Sequence, residues 1–253
     1  MMSVKPVLIM AGGTGGHVFP ALAVADELRS RGVPIVWLGT RNGIEARVVK
    51  QAGYQIEWLS ITGLRGKNAA TLLLAPLRLV MACAQAIRVL WQRKPAAVLG
   101  MGGFTAGPGG LMAWMMRRPL LIHEQNAVAG LTNRILACLA DEVLEAFPQT
   151  FNKKARTVGN PVRKQIQQLP DPQVRIGSHR GALRVLVIGG SLGAVRLNEI
   201  VPEAVSGIAA EARPEILHQT GLANLEMTQQ FYQRHGVDAR IEAFIDDMAE
   251  AYG

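Results

Sequence analysis

The sequence predicts an α/β chain built on parallel sheet, and three observations predict it. Short apolar segments alternate with helix-length amphipathic ones from Val7 to about Ala146. The apolar segments are continuous runs, as expected of strands buried on both faces. Glycine-rich turns stand between strand and helix at Gly12–Gly16, Gly100–Gly110 and Gly189–Gly193. In sheets of this kind ligands lie at the carboxyl ends of the strands.

Val7–Met10 is the first strand and runs into Gly12-Gly13-Thr14-Gly15-Gly16-His17. A helix is expected from His17 to Arg31, with Val18, Leu22, Val24, Ala25 and Leu28 on its apolar positions. Further strands are expected at Ile35–Leu38, Ile56–Ile61, Ala96–Leu99, Leu120–His123 and Glu142–Ala146. The helices between them are expected at Ile44–Ala52, Ala69–Gln92, Pro108–Met116 and Ala129–Leu139. That order gathers Gly12–His17, Gly39–Thr40, Gly100–Thr105 and His123–Asn126 on one rim of the sheet.

The alternation breaks between Gly159 and Ala182. Asn160-Pro161 stops a strand, and Leu169-Pro170-Asp171-Pro172 resists regular structure. The chain therefore divides into a first domain over 1–160, a linker over 161–182 and a second domain over 183–253. The second opens as the first does, with the strand Leu183–Ile188, a glycine turn and a helix to about Ala212. Strands at Ile216–His218 and Ile241–Phe244 follow, around a helix at Leu225–His235. This is one mononucleotide half of a doubly wound sheet, so the domain is expected to continue beyond Gly253.

Composition narrows the partners. Of 253 residues 49% are hydrophobic and 18% charged, which marks a globular chain with a large core. The net charge of +8 favours an anionic partner. Nucleic acid does not fit, because the cations are scattered and aromatics make up only 5%. A phosphorylated small molecule or an anionic membrane surface does. Cys83 and Cys138 sit in apolar runs and are expected to be buried free thiols. The spacing of the five histidines offers no metal site. The short Met1–Lys5 lead is not a signal peptide, so a cytoplasmic location is expected.

Strand, glycine turn and helix together point unpaired helix N–H groups at an anion. The same arrangement also serves as an ordinary βα connection. Gly16-His17-Val18 lacks the lysine of a P-loop, and Val18 stands where a dinucleotide fingerprint needs a small residue. Two such turns on one rim, after Met10 and after Gly100, suit two adjoining phosphates. His17 is then either a structural cap or a base beside the anion. His123-Glu124-Gln125-Asn126 is either a capping turn or a sugar-recognising cluster. Leu72-Leu73-Leu74-Ala75-Pro76-Leu77, with Arg65, Lys67 and Arg78 near it, reads as a sheet-covering helix or as a membrane-dipping one. Trp114-Met115-Met116-Arg117-Arg118 would widen the same patch.

Taken together, six motifs in order resemble the MurG family of bacterial peptidoglycan glycosyltransferases. They are Gly12-Gly13-Thr14-Gly15-Gly16-His17, Gly102-Gly103-Phe104 through Gly107-Pro108-Gly109-Gly110, and His123-Glu124-Gln125-Asn126. Gly159-Asn160-Pro161-Val162-Arg163, Gly189-Gly190-Ser191-x-Gly193-Ala194 and Phe244-Ile245-Asp246-Asp247-Met248 complete the set. The resemblance implies a GT-B fold, with two Rossmann-like domains facing a cleft and the second incomplete here. It implies transfer of N-acetylglucosamine from UDP-N-acetylglucosamine to undecaprenyl-diphosphate-linked MurNAc-pentapeptide (lipid I), giving lipid II.

The resemblance also distributes roles. Gly12, Gly13, Gly102, Gly103 and Thr105 would hold the acceptor diphosphate. Thr14, Gly15, Gly16, Asn126, Arg163, Ser191 and Ile245 match donor-contact positions. Leu72, Leu73, Leu74, Leu77, Arg78 and Trp114 would form a patch on anionic lipids at the cytoplasmic face of the inner membrane. His17 is the expected general base, with Glu124 second as base or as a supporting partner, and neither a metal nor a cofactor is implied. Leu192 departs from the glutamine usual in the family, and the family's remaining donor segments would lie beyond Gly253. The chain as given is expected to bind lipid I and membrane without catalysis, with transferase activity in a longer parent, and the competing expectation is a nucleotide-sugar 2-epimerase.

Overall fold

The computed structural model describes residues 4–61, 74–151 and 155–253. The chain divides after Arg163 into two compact units. In the first, β1 (Val7–Met10) leads to α1 (Gly15–Ser30), β2 (Ile35–Gly39), α2 (Glu45–Gln51) and β3 (Gln55–Trp58). Then come α3 (Ala75–Arg93), β4 (Ala97–Gly100), α4 (Ala106–Met115), β5 (Leu120–Glu124), α5 (Leu131–Ala137), β6 (Glu142–Glu145) and β7 (Ala155–Thr157). The strands form a parallel sheet in the order β3-β2-β1-β4-β5-β6-β7. The chain winds outward from β1 to β3, then returns to lay β4 against the other side of β1. Strand order therefore reverses between β1 and β4, the position where doubly wound sheets bind ligands.

Side chains alternate across the sheet. Leu8 and Met10 of β1 join Val36, Leu38, Leu90 and Leu120 in one core. Ile9 joins Trp37, Val18, Leu22, Val49 and Leu99 in the other. Two buried faces account for the unbroken apolar strands. The short edge strand β7 has no apolar run, which is why the sequence did not announce it.

The second unit holds α6 (Lys164–Gln167), α7 (Pro172–Ser178), β8 (Arg184–Ile188), α8 (Val195–Ser206), β9 (Glu215–Gln219), α9 (Leu225–Arg234), β10 (Arg240–Glu242) and α10 (Met248–Tyr252). Its sheet is parallel, in the order β10-β9-β8. Val187, Val205, Ile216, Tyr232 and Val237 form its core. The stretch expected to resist regular structure carries α7 instead. Pro172 stands in the helix's first turn, where a missing N–H leaves no bond unmade. The thiols also differ from expectation: Cys83 is half-buried and Cys138 is exposed.

His218 of β9 is fully buried, and its Nδ1 lies 2.9 Å from the Tyr232 hydroxyl. Burial lowers its pKa from 6.5 to about 4. Between those values the unfolded chain binds a proton that the folded chain refuses, so stability falls as pH falls. The loss reaches on the order of 3 kcal/mol once pH is below both values. Urea melts at pH 7 and pH 4.5 are expected to show this decline, and His218→Gln to flatten it.

Candidate active site

The carboxyl ends of β1 and β4 each run into a glycine loop, and the loops meet backbone to backbone. A Cβ on Gly103 would overlap the Gly12 carbonyl oxygen, and Gly103 has φ +81°, a conformation that favours glycine. A Cβ on Gly102 would stand 2.8 Å from His17 Nδ1. The imidazole on the first turn of α1 is thus pressed against the loop that precedes α4. The Thr14 side chain makes no capping bond to α1.

Several residues expected to face the acceptor diphosphate face inward instead. The Gly13 N–H donates to Glu45 Oε2 at 3.0 Å. The Thr40 N–H and hydroxyl donate to Glu45 Oε1 at 2.9 and 2.7 Å, and Glu45 is fully buried beneath the loop. Gly12 and Gly102 are buried. Thr105 is also fully buried, and among the described residues its hydroxyl has no hydrogen-bond partner. These residues build the loops, and Gly103 is half-buried. Sequence reasoning missed Glu45, whose only signal is a carboxylate shortly after β2, at a strand end on the same rim.

Glu124 at the end of β5 is fully buried, with both carboxyl oxygens engaged. Oε1 accepts from the Asn126 N–H at 3.1 Å and from Asn126 Nδ2 at 2.8 Å. Oε2 accepts from the Gly130 N–H at 3.1 Å and from Asn133 Nδ2 at 2.9 Å. A carboxylate held by four donors away from solvent is placed to orient its neighbours rather than to take a proton. It fixes the amide of the exposed Asn126. Asn133 was missed in the sequence, yet it lies one turn before the buried Leu136, on the inward face of α5.

His17 is half-buried and joined to the same cluster by a chain of contacts. Its Nδ1 lies 3.1 Å from Gln125 Oε1. Gln125 Nε2 lies 3.1 Å from His123 Nδ1, and His123 Nε2 lies 3.1 Å from the Gly159 carbonyl oxygen. His123 is buried, and desolvation lowers its pKa despite opposing help from the Gly159 carbonyl and the Glu124 charge. Close by on α1, the Arg163 guanidinium covers the Phe19 ring at 4.6 Å from its centroid. The fold thus brings Thr14, Gly15, Gly16, His17, Asn126 and Arg163 to one rim of the first unit.

In the second unit the loop after β8 repeats the device. A Cβ on Gly193 would overlap the Thr220 carbonyl oxygen, and one on Gly221 would overlap that of Leu192. Gln219 ties this loop to the segment after β10. Its Nε2 donates to the Gly190 carbonyl at 2.8 Å, and its Oε1 accepts from the Ile245 N–H at 2.8 Å. Ser191 is half-buried, Leu192 exposed and Ile245 buried.

Leu72 and Leu73, with Arg65 and Lys67, lie outside the described residues. Leu74, Leu77 and Trp114 are exposed, while Arg78 is half-buried. The apolar surface extends well beyond this start. Ala82, Ala86, Val89 and Leu90 turn α3 inward, while Leu77, Val80, Met81, Ile87 and Trp91 turn outward along its length. Val80 is 65% exposed and Trp91 66% exposed, with Arg88 between them in sequence. Among the described residues no helix is long and apolar enough to cross a membrane.

Comparisons with known proteins agree on where this architecture belongs. The N-terminal domain of glycosyltransferase family 28 matches residues 7–145, and its C-terminal domain matches residues 184–253. An N-acetylglucosamine transferase of Nitrosococcus oceani, named for an N-acetylmuramyl-(pentapeptide) pyrophosphoryl-undecaprenol acceptor, is 56% identical over 248 residues. That alignment covers 97% of this chain and 69% of the relative. A transferase of the same name from Methylococcus capsulatus is 54% identical, covering 98% and 70%. The crystal structure of Acinetobacter baumannii MurG superposes with a TM-score of 0.72 at 41% identity, covering 98% of this chain and 70% of that one. The chain spans about 70% of the length of the relatives it matches. These relatives favour sugar transfer over the epimerase alternative. The chain belongs to glycosyltransferase family 28, in the MurG branch of N-acetylglucosamine transferases.

Proposed function

We propose that the enzyme transfers N-acetylglucosamine from UDP-N-acetylglucosamine to the MurNAc C4 hydroxyl of lipid I, with His17 as general base and inversion at the anomeric carbon. One observation carries the reading: an imidazole stands where two helix N-termini emerge from neighbouring strands, against Gly102. The acceptor diphosphate lies over the first turns of α1 and α4, whose partial positive charges favour it. His17 Nε2 takes the proton of the C4 hydroxyl as its oxygen bonds to the anomeric carbon. The bond from that carbon to the UDP oxygen breaks, and UDP leaves with the electron pair.

The donor contacts assigned in the first unit are Thr14, Gly15, Gly16, Asn126 and Arg163; in the second they are Ser191 and Ile245. Arg163 and the N-terminus of α8 stabilise the charge that develops on the leaving diphosphate. Glu124 supports Asn126 and is not the base. The test is product analysis with labelled UDP-N-acetylglucosamine and a short-chain lipid I analogue. A β-linked disaccharide is expected; retention of the α configuration would overturn the displacement.

The outward stripe of α3, with Trp114 of α4, seats the enzyme on anionic lipids at the cytoplasmic face of the inner membrane. Burying a large apolar side chain is worth roughly 1.5–3 kcal/mol, so each stripe residue matters about ten-fold or more. Val80→Glu combined with Trp91→Glu is expected to lower sedimentation with anionic vesicles by about 10²-fold. Unchanged partitioning would remove the stripe from the membrane surface.

A further inference from the structure

The polarity of the buried hydrogen bonds around Gln125 has a consequence for His17. The Gly159 oxygen can only accept, so His123 Nε2 carries a proton. Gln125 Nε2 faces three acceptors at once: His123 Nδ1 at 3.1 Å, the His123 carbonyl oxygen at 3.2 Å and the Met101 sulfur at 3.7 Å. Rotating the amide by half a turn would set its oxygen against those same three groups, including another carbonyl oxygen. Gln125 and His123 are buried, so water does not screen that repulsion. The amide orientation is therefore fixed, and Gln125 Oε1 is the atom that meets His17 Nδ1 at 3.1 Å. An amide oxygen accepts only, so His17 Nδ1 must donate.

We propose that Gln125, held by His123 and the Gly159 carbonyl, is a positioning residue that locks His17 in the Nδ1–H tautomer and leaves Nε2 as the proton-accepting atom. The lowered pKa of His123 supports this, because a neutral His123 protonated on Nε2 offers a bare Nδ1 to the amide. The backbone reinforces the arrangement, since Asn160 Nδ2 donates to the Gln125 carbonyl at 3.3 Å. Gly102 lies close on the Nδ1 side of the ring, where a Cβ would stand 2.8 Å from Nδ1. The assignment of Nε2 as the catalytic atom rests on the reading of His17 as base; the tautomer itself does not.

Long-range proton–nitrogen correlation of the imidazoles in the ¹⁵N-labelled chain tests the lock directly. Neutral His17 is expected to show a protonated Nδ1 and an unprotonated Nε2, with the latter resonating far downfield. An Nε2–H tautomer in the unaltered chain would overturn the proposal. In Gln125→Met, which cannot accept, His17 is expected to lose this preference. In that variant kcat is expected to fall about 10- to 100-fold, less than the ~10⁴-fold of a triad histidine held in the wrong tautomer, with donor KM nearly unchanged. A Gln125→Met chain that keeps both tautomer and kcat would also overturn it. If that variant does not fold, the spectrum of the unaltered chain still decides. A normal kcat for His17→Ala beside an Nδ1–H spectrum would sink the base and leave the lock standing.

Discussion

Replacing His17 with alanine is expected to lower kcat about 10²- to 10⁴-fold, the range that a positioned general base contributes. The fold should tolerate the change, because the side chain is half-buried and among the described residues its side-chain hydrogen bond is that to Gln125. Donor KM is expected to move little, since the proposed base would act on the acceptor hydroxyl and not on UDP. Steady-state kinetics with saturating acceptor separates the two effects. Turnover within a few-fold of the parent would remove His17 from the chemistry. Glu124→Gln makes the contrast. Its carboxylate accepts from four donors, so an amide there would point N–H at N–H. The expected result is a lower melting temperature and weaker donor binding through Asn126.

Gly103→Ala is expected to have the largest effect on the fold of the first unit. The added carbon meets the Gly12 carbonyl oxygen, a backbone atom that no rotamer change can move aside. The φ of +81° adds roughly 1–2 kcal/mol of strain for any residue with a Cβ. Together these should destabilise the chain by about 3 kcal/mol or more. The surviving folded fraction should transfer sugar poorly, because the loops of β1 and β4 must separate. Chemical denaturation together with kcat on the folded fraction checks both parts. Gly130→Ala is the control, because a Cβ there meets nothing within 4 Å.

Much of this arrangement was legible in the sequence. Unbroken apolar strands and the three glycine turns predicted the parallel sheet, and the rule for strand ends gathered residues 12, 102 and 124 on one rim. What sequence could not supply was direction. Gly12 and Thr105 stand in two loops that look outward on paper, but those loops meet at Gly103 and both residues are buried. Glu45 and Asn133 are polar residues whose burial depends on partners in other elements, the loop at Gly13 and the end of β5 at Glu124. The helix α3 is apolar on two sides, so periodicity alone does not tell which side is covered. Small residues such as Ala82 and Ala86 lie against the sheet, and the bulkier Val80 and Trp91 are left outside. Pro170 and Pro172 were read as breakers because proline's meaning changes with its place in a helix, and a boundary is the hardest thing to see beforehand.

The crossed glycines of the two units set a gauge. At Gly12 with Gly103, and again at Gly193 with Gly221, main chain rests on main chain with no side chain between. A contact of that kind has one length, fixed by peptide geometry and not by rotamers. Side-chain drift elsewhere can reshape the rims, but it cannot stretch the spacing between the two loops of each pair. Each pair is a caliper whose opening is set by the backbone itself.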